Sequence, residues 1–292
     1  MDQASILPFW LELRVINLTM SPNRVRELFD VILEYCKRIN LNELPPATEA
    51  GLGELQLAQR LAIPFENLDV RLNREVKLDH VSISKKLVTG GRGGYCFEQN
   101  LLLSHALDAM GVASRPALAR VWLGATYTPP LTHLVLLVQI GKARWLMDAG
   151  FGGGYCPPLL LAHGSEECAP DGSTYRLTSD PELGWILDRC TNESAVRQYS
   201  FTESEVFPPD ILVANHWTST HPTSLFKKNI VVNRITRDGR LSLMNTVLTK
   251  TGTQDEIVTI TSSDQMTSIF REDFGLDLSE SDVSELAAQI DL

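Results

Sequence analysis

GGRGGYCFEQN, residues 90–100, crowds four glycines around Arg92 and then opens a helical pattern on one cysteine, Cys96. Glycine loses more backbone freedom on folding than any other residue and alone enters positive φ without strain, so this density marks a turn that side chains would obstruct. Such a turn delivers Cys96 to the first turn of the next helix with nothing shielding the sulfur. The partial positive charge at a helix N-terminus favours a thiolate there, and the unpaired N–H groups of that turn can receive an oxyanion. The helical pattern runs to about Met110, where Gly111 supplies a left-handed stop. A structural cysteine after a tight turn would leave the same local trace, so the reading depends on what the chain sets beside the thiol.

A reactive thiol needs a base, and the base needs an orienting group. Thr132-His133-Leu134-Val135-Leu136-Leu137-Val138 puts a histidine at the mouth of an apolar strand, and ARWLMD, ending in Asp148, reads as a second strand. Between them, Gly141-Lys142 suits a two-residue hairpin turn. That turn pairs Ile140 with Ala143, Val138 with Trp145 and Val135 with Asp148. His133 shares a strand face with Val135, so His133 and Asp148 become diagonal neighbours, about 7–8 Å apart at the backbone and bridgeable by their side chains.

Outward from these segments, the first 110 residues are mainly helical. Pro22 to Asn40 carries apolar residues at helical spacing, LGELQLAQRLA is a second helix, IPFENLDVRL looks extended, and DHVSISKKLVTG is a helix ended by Gly90. SRPALARVWL, THLVLLVQI, ARWLMDA, WILDRC and RQYSFT then predict a sheet or barrel from about 112 to 205. In the tail, FPPDILVANHWTST is helical or irregular, FKKNIVVNRI and RLSLMNTVL are strands, and the stretches from Asp264 and from Ser279 are helical.

The 292 residues suffice for one large domain or two to three small ones. A net charge of −10 makes nucleic acid and anionic membranes poor partners and points to a small-molecule substrate. No apolar run approaches the roughly 18 residues that cross a bilayer. Residues 1–19 lack the basic start of a signal peptide and are interrupted by Glu12 and Arg14, so they read as an extension or a misassigned start. Five cysteines (36, 96, 156, 168 and 190), with no CxxC pair, argue against a disulfide scaffold or zinc site and for a reducing, cytoplasmic setting.

RGGYCFEQN, the preceding IPFENLD, THLVLLV and WLMDAGFGG resemble, in this order, the arylamine N-acetyltransferase family, and VANHWTSTHPTSLF is similar to that family's third segment. The likeness spans roughly residues 35 to 235. It implies a catalytic triad of Cys96, His133 and Asp148 in an α+β fold with a cysteine-protease-like core. The implied parts are an N-terminal helical bundle (1–111), a central β-barrel (112–205) and a C-terminal α/β lid (206–292). It further implies ping-pong acetyl transfer from acetyl-CoA to a small aromatic amine or hydrazine. Acetyl-CoA would be a co-substrate, with no permanently bound cofactor and no metal.

Gly150, Gly152, Gly153 and Gly154 follow Asp148 in a pattern that fits neither GxGxxG nor the Walker motif. A glycine-rich turn can aim N–H groups at an anion, and the resemblance makes this the loop beside which coenzyme A runs. Phe65, Phe97, Phe151 and Phe226 are candidates for the aromatic acceptor pocket. Arg92 is expected to pair with Glu98, and Glu98 and Asn100 to buttress the turn. His216 and His221, five apart, do not share a helical face, which argues against a metal. His105 reads as a packed core histidine. Ala149 stands where the family more often has valine. The chain is expected to act as a monomer or weak homo-oligomer. Two other enzymes fit the same triad: an amide synthase acting on a biosynthetic thioester, and a cysteine hydrolase, though no CGSCW-like signature appears. A non-catalytic protein retaining the fold is the third alternative.

Overall fold

The computed structural model describes residues 22–190, 194–253 and 255–292; the expected extension at 1–19 lies outside them. The chain opens with α1 (Pro22–Arg38), with proline at its start and Lys37 and Arg38 in its last turn, then α2 (Glu49–Ala62), where the Thr48 side chain accepts Gly51 N. IPFENLDVRL departs from the expected extended run: only β1 (Phe65–Glu66) is a strand, and α3 (Leu68–Arg71) follows at once. Glu66 explains the break, since its carboxylate accepts Leu68 N at 2.7 Å and helps start the turn. Next, α4 (His80–Ile83) is capped by Asp79 and continues as a π-helical turn to Thr89, and α5 (Cys96–Ala109) ends before Gly111 at φ 72°.

Eight strands come next: β2 (Ala113–Val121), β3 (Leu131–Ile140), β4 (Ala143–Met147), β5 (Leu159–Leu160), β6 (Ser165–Cys168), β7 (Thr174–Asp180), β8 (Gly184–Cys190) and β9 (Ala195–Phe201). They form one antiparallel sheet in the order β5-β4-β3-β2-β9-β8-β7-β6. Its two edges approach each other, with Ser165 Oγ donating to Leu160 O at 2.6 Å, so the sheet is nearly closed into a barrel. After α6 (Pro208–Thr220) and α7 (Leu225–Lys228), the strands β10 (Val231–Ile235), β11 (Arg240–Met244), β12 (Val247–Thr251) and β13 (Glu256–Thr259) form a second sheet. β1 pairs with β10 at its edge. The helices α8 (Ser263–Glu272) and α9 (Glu280–Ala288) close the chain. The fold is α+β.

Strand β3 is buried on both faces, which is why LVLLV reads as a continuous apolar run. Leu136 and Val138 pack with α1, α2 and α5, whereas Val135 and Leu137 point into the barrel with Phe151, Tyr175 and Tyr199. His133 follows the phase of Val135 and so faces the barrel side. A third core joins α8 and α9 to the second sheet. A fourth, holding Phe65, Tyr95, Cys96, Phe97, Leu134, Ile211 and Val231, lies where residues from all parts of the chain meet. The glycine turn and Cys96 sit in that junction.

Candidate active site

The turn before α5 owes its glycines mainly to close packing. Gly91 alone among the four has positive φ, at 65°. A Cβ on Gly94 would come within 2.7 Å of Glu98 Oε2, and one on Gly93 within 2.7 Å of Glu66 Cγ. These contacts exist because the turn is stitched to β1, with Glu66 N donating to Gly94 O at 3.1 Å and Gly94 N to Pro64 O at 3.3 Å.

The same stitching decides the partner of Arg92. Its guanidinium pairs with Glu66 at 2.7 Å and Asp69 at 3.2 Å, rather than with Glu98 as the sequence suggested. Glu98 instead accepts Lys86 Nζ at 2.8 Å through one oxygen and Tyr95 N at 3.1 Å through the other. Burial pushes the Glu98 carboxyl up, to about 7, against the pull of Lys86. Two cations and three carboxylates thus pack behind the turn and hold the start of α5.

Cys96 is 3% exposed, and its thiol donates to Thr132 O at 3.7 Å. The hairpin has the expected register, Ile140 opposite Ala143 and Val138 opposite Trp145, with Gly141 at φ 59° in the turn. Just past its last pair, His133 Nε2 and Asp148 Oδ2 lie 2.7 Å apart, both side chains almost wholly buried. Binding Asp148 through Nε2 leaves Nδ1 as the other ring nitrogen, and Cys96 lies near enough to influence the charge of the imidazole. Burial opposes a charged imidazole, but the Asp148 charge and hydrogen bond, with a smaller contribution from Cys96, raise it to about 10. Asp148 is held below the usual carboxylate range: burial works against its charge, and the imidazolium and hydrogen bonds from His133, Asn100 and Gly150 outweigh it.

Sequence reasoning missed most of what fixes Asp148. Asn100, one turn along α5 from Cys96, donates to Asp148 Oδ1 at 2.9 Å and Leu134 O at 2.6 Å and accepts Ala149 N at 2.8 Å. It is a direct strut between the cysteine helix and the aspartate. On α2, Gln56 accepts Asp148 N at 2.8 Å and donates to Cys156 O at 2.7 Å, while Gln59 donates to Gln99 O at 2.9 Å. The spacing of Gln56, Gln59 and Arg60 looks like a solvated helix face. All three are buried.

Gly150 is a further element of this geometry. Its N–H donates to Asp148 Oδ1 at 2.8 Å, and an added Cβ would lie 2.6 Å from Cys96 Cα and 2.7 Å from Cys96 O. Only glycine lets the Asp148 loop touch the backbone of α5. Gly150→Ala must therefore push the aspartate and cysteine apart, and it is expected to lower activity at least tenfold and stability by about 1–3 kcal/mol, as overpacking does. Turnover and thermal melts check this; wild-type activity in a folded Ala variant would show the contact is dispensable.

The four phenylalanines fall into two groups. Phe65 and Phe226 have ring centroids 5.6 Å apart and, with Phe97, surround Tyr95, whose hydroxyl donates to Asn215 Oδ1. Phe151 lies on the other side, edge-on to His133 at 5.3 Å. Gly152 seats against the Phe65 ring. A cavity of about 540 Å³ opens at Thr132, lined also by Leu118, Leu131, Val213 and Trp217. The opposite face of α6 borders a larger cavity, about 800 Å³, which reaches the core around Cys96 through Val70, Val76 and Asn215. His216 lies exposed on α6, His221 is half-buried just after it and stacks on Trp217, and His105 packs against His80. Among the described residues, no three His, Cys, Asp or Glu side chains gather as a metal site.

An α+β fold with a nearly closed barrel sets a buried histidine–aspartate pair beside a cysteine at a helix start, an arrangement that fits acyl transfer through a thiol. A family model described as N-acetyltransferase matches residues 50–283. The arylamine N-acetyltransferase / N-hydroxyarylamine O-acetyltransferase of Salmonella typhimurium is 35% identical over 251 residues, 84% of this chain and 89% of that protein. The solved structure of the Salmonella typhimurium enzyme superposes with a TM-score of 0.83 at 32% identity, covering 88% of this chain and 98% of that one. That of Mycobacterium marinum arylamine N-acetyltransferase in complex with CoA does so at 0.82 and 31%, covering 89% and 98%. The chain belongs to the arylamine N-acetyltransferase family, and it is an acetyl-CoA-dependent acyltransferase. The comparisons favour neither the amide synthase nor the hydrolase.

Proposed function

We propose that the protein moves the acetyl group of acetyl-CoA to small aromatic amines and hydrazines by a ping-pong mechanism, through an acetyl group carried on Cys96. The observation that supports this most is the buried 2.7 Å contact between His133 and Asp148, beside the thiol of Cys96 at the start of α5. Asp148 fixes the imidazole by Nε2 and stabilises its charge, so Nδ1 can take the proton of Cys96 as the sulfur attacks as a thiolate. The sulfur bonds to the acetyl carbon, the bond from that carbon to the coenzyme A sulfur breaks, and the departing sulfur takes the Nδ1 proton. An arylamine nitrogen then attacks the acetyl carbon, neutral imidazole receives its proton, and Cys96 leaves as thiolate. A thioester-for-thioester exchange is nearly balanced, and an arylamine is uncharged near neutral pH, so the chemistry asks for no metal.

The glycine corner at Gly150, Gly152, Gly153 and Gly154 is proposed to flank coenzyme A, with the N–H groups of Gly152, Gly153 and Gly154 toward the phosphates, that of Gly150 being engaged by Asp148. Arg240 and Arg60 already hold the Gly153 and Gly154 carbonyls. Phe65, Phe97, Phe151 and Phe226 are proposed to enclose the acceptor. We further read the chain as three parts divided near 111 and 205, which is supported by all eight barrel strands falling between Ala113 and Phe201. We read the protein as a cytoplasmic enzyme that is a monomer or a weak homo-oligomer; its five cysteines are free, as a reducing compartment would keep them. Initial-rate kinetics test the two-step scheme: double-reciprocal plots against acetyl-CoA at several arylamine concentrations are expected to be parallel. Intersecting lines would mean that both substrates bind before any bond breaks.

A further inference from the structure

Arg60 is a buried cation with an unusual set of partners. It is 1% exposed in the last turn of α2, and no carboxylate forms an ion pair with it among the described residues. One terminal nitrogen, Nη2, donates to Phe151 O at 3.0 Å and Gly154 O at 3.4 Å. The other two, Nε and Nη1, have no hydrogen-bond partner among the described residues, and burial lowers the tendency of the group to stay charged. The titratable groups near enough to be felt are Asp148, Tyr155 and Tyr175, and of these only Asp148 carries a charge. A buried charge with two unmet donors costs stability, and a well-packed apolar residue of similar length is usually neutral or better at such a position. The sequence keeps arginine there all the same.

What the guanidinium holds suggests why. Phe151 presents its ring to His133 at 5.3 Å and to Tyr199 at 5.3 Å, so the backbone that Arg60 grips belongs to a residue packed against the imidazole. Gly154 sits where a Cβ would come within 2.5 Å of Tyr175 Oη, so this carbonyl is wedged as well. Gln56, one turn earlier on α2, holds the two ends of the same loop at Asp148 N and Cys156 O. Gln56 spans the loop, and Arg60 pins its middle.

We infer that Arg60 is a positioning residue: through the carbonyls of Phe151 and Gly154 it fixes the loop after Asp148 and, by way of the Phe151 ring, the orientation of His133 toward Cys96. The inference rests on reading Cys96, His133 and Asp148 as the reacting line, and it adds a residue that touches none of the reactants. Its signature is a divergence between stability and rate. Arg60→Met removes the grip together with the buried charge. Its melting temperature is expected to equal or exceed wild type, while single-turnover acetylation of Cys96 falls about tenfold or more at an unchanged half-saturating acetyl-CoA concentration. Arg60→Lys keeps a donor toward the two carbonyls and is expected to recover most of the rate.

Wild-type acetylation by Arg60→Met would overturn the role. So would a parallel loss of melting temperature and rate in both variants, which marks a structural residue only. If Arg60→Met fails to fold, Arg60→Gln, uncharged and too short to reach both carbonyls, takes its place: a near-normal melting temperature with a lowered rate and unchanged half-saturation supports the role, and a wild-type rate removes it. Alkylation of Cys96 by iodoacetamide, measured in the same proteins, needs no acetyl donor. It is expected to slow in Arg60→Met, and it keeps this test separate from the question of which donor the enzyme uses.

Discussion

Cys96→Ser is expected to abolish acetyl transfer, with a loss of about 10⁵-fold or more, comparable to deleting the nucleophile of a hydrolytic triad. Serine fits the space, since it replaces sulfur with a smaller atom beside Thr132 O. The fold should therefore survive, with stability within about 1 kcal/mol of wild type. The loss is chemical. A hydroxyl does not give its proton to an imidazole as a thiol does, and an oxygen ester formed there would hold the acetyl group without the ready exchange a thioester allows. Circular dichroism and turnover measured together check this, and appreciable transfer by the serine variant would remove Cys96 from the mechanism.

Asp148→Asn is expected to lower turnover by about 10⁴-fold while the protein stays folded, as happens when an imidazole loses its orienting carboxylate. The carboxylate sets both orientation and charge of the ring. The raised imidazole has a definite sign for stability. Its folded value near 10 exceeds the ordinary 6.5, so the stabilisation it brings is complete below about 6.5 and is lost as the pH rises through about 10. Asp148, held below its ordinary 3.8, stabilises above that value and loses its contribution as the pH falls through its lowered one. In Asp148→Asn the ring should titrate near or below 6.5, because burial then acts without the opposing charge. Ring NMR signals of His133 report this, and a ring still protonated at pH 9 in the Asn variant would show that Asp148 is not what holds the proton.

Much of this geometry was legible because it follows from local chemistry. Gly141-Lys142 fixes the hairpin register, and the register places His133 and Asp148 side by side without any knowledge of the rest of the chain. The continuous apolar run of β3 announced burial on both faces. Other features were hidden for physical reasons. β5, β6 and β7 are short or alternate polar residues with few apolar ones, so they resemble loops. The nearest acid in sequence to Arg92 is Glu98, yet the bridge between β1 and the glycine turn brings Glu66 closer in space. Gln56, Gln59 and Arg60 carry the polar pattern of an exposed helix face, and nothing local says that an aspartate loop and a cysteine helix will close over them. Polar residues that hold a site through other residues leave no motif.

The central claim is that the acetyl group passes through Cys96. Mixing the protein with acetyl-CoA in the absence of acceptor, followed by proteolysis and peptide mass measurement, tests it most directly. The account predicts one acetyl group, on the peptide containing Cys96, and its loss on adding an aromatic amine. Acetyl on a different residue, or none on a folded protein that still acetylates arylamines, would contradict it.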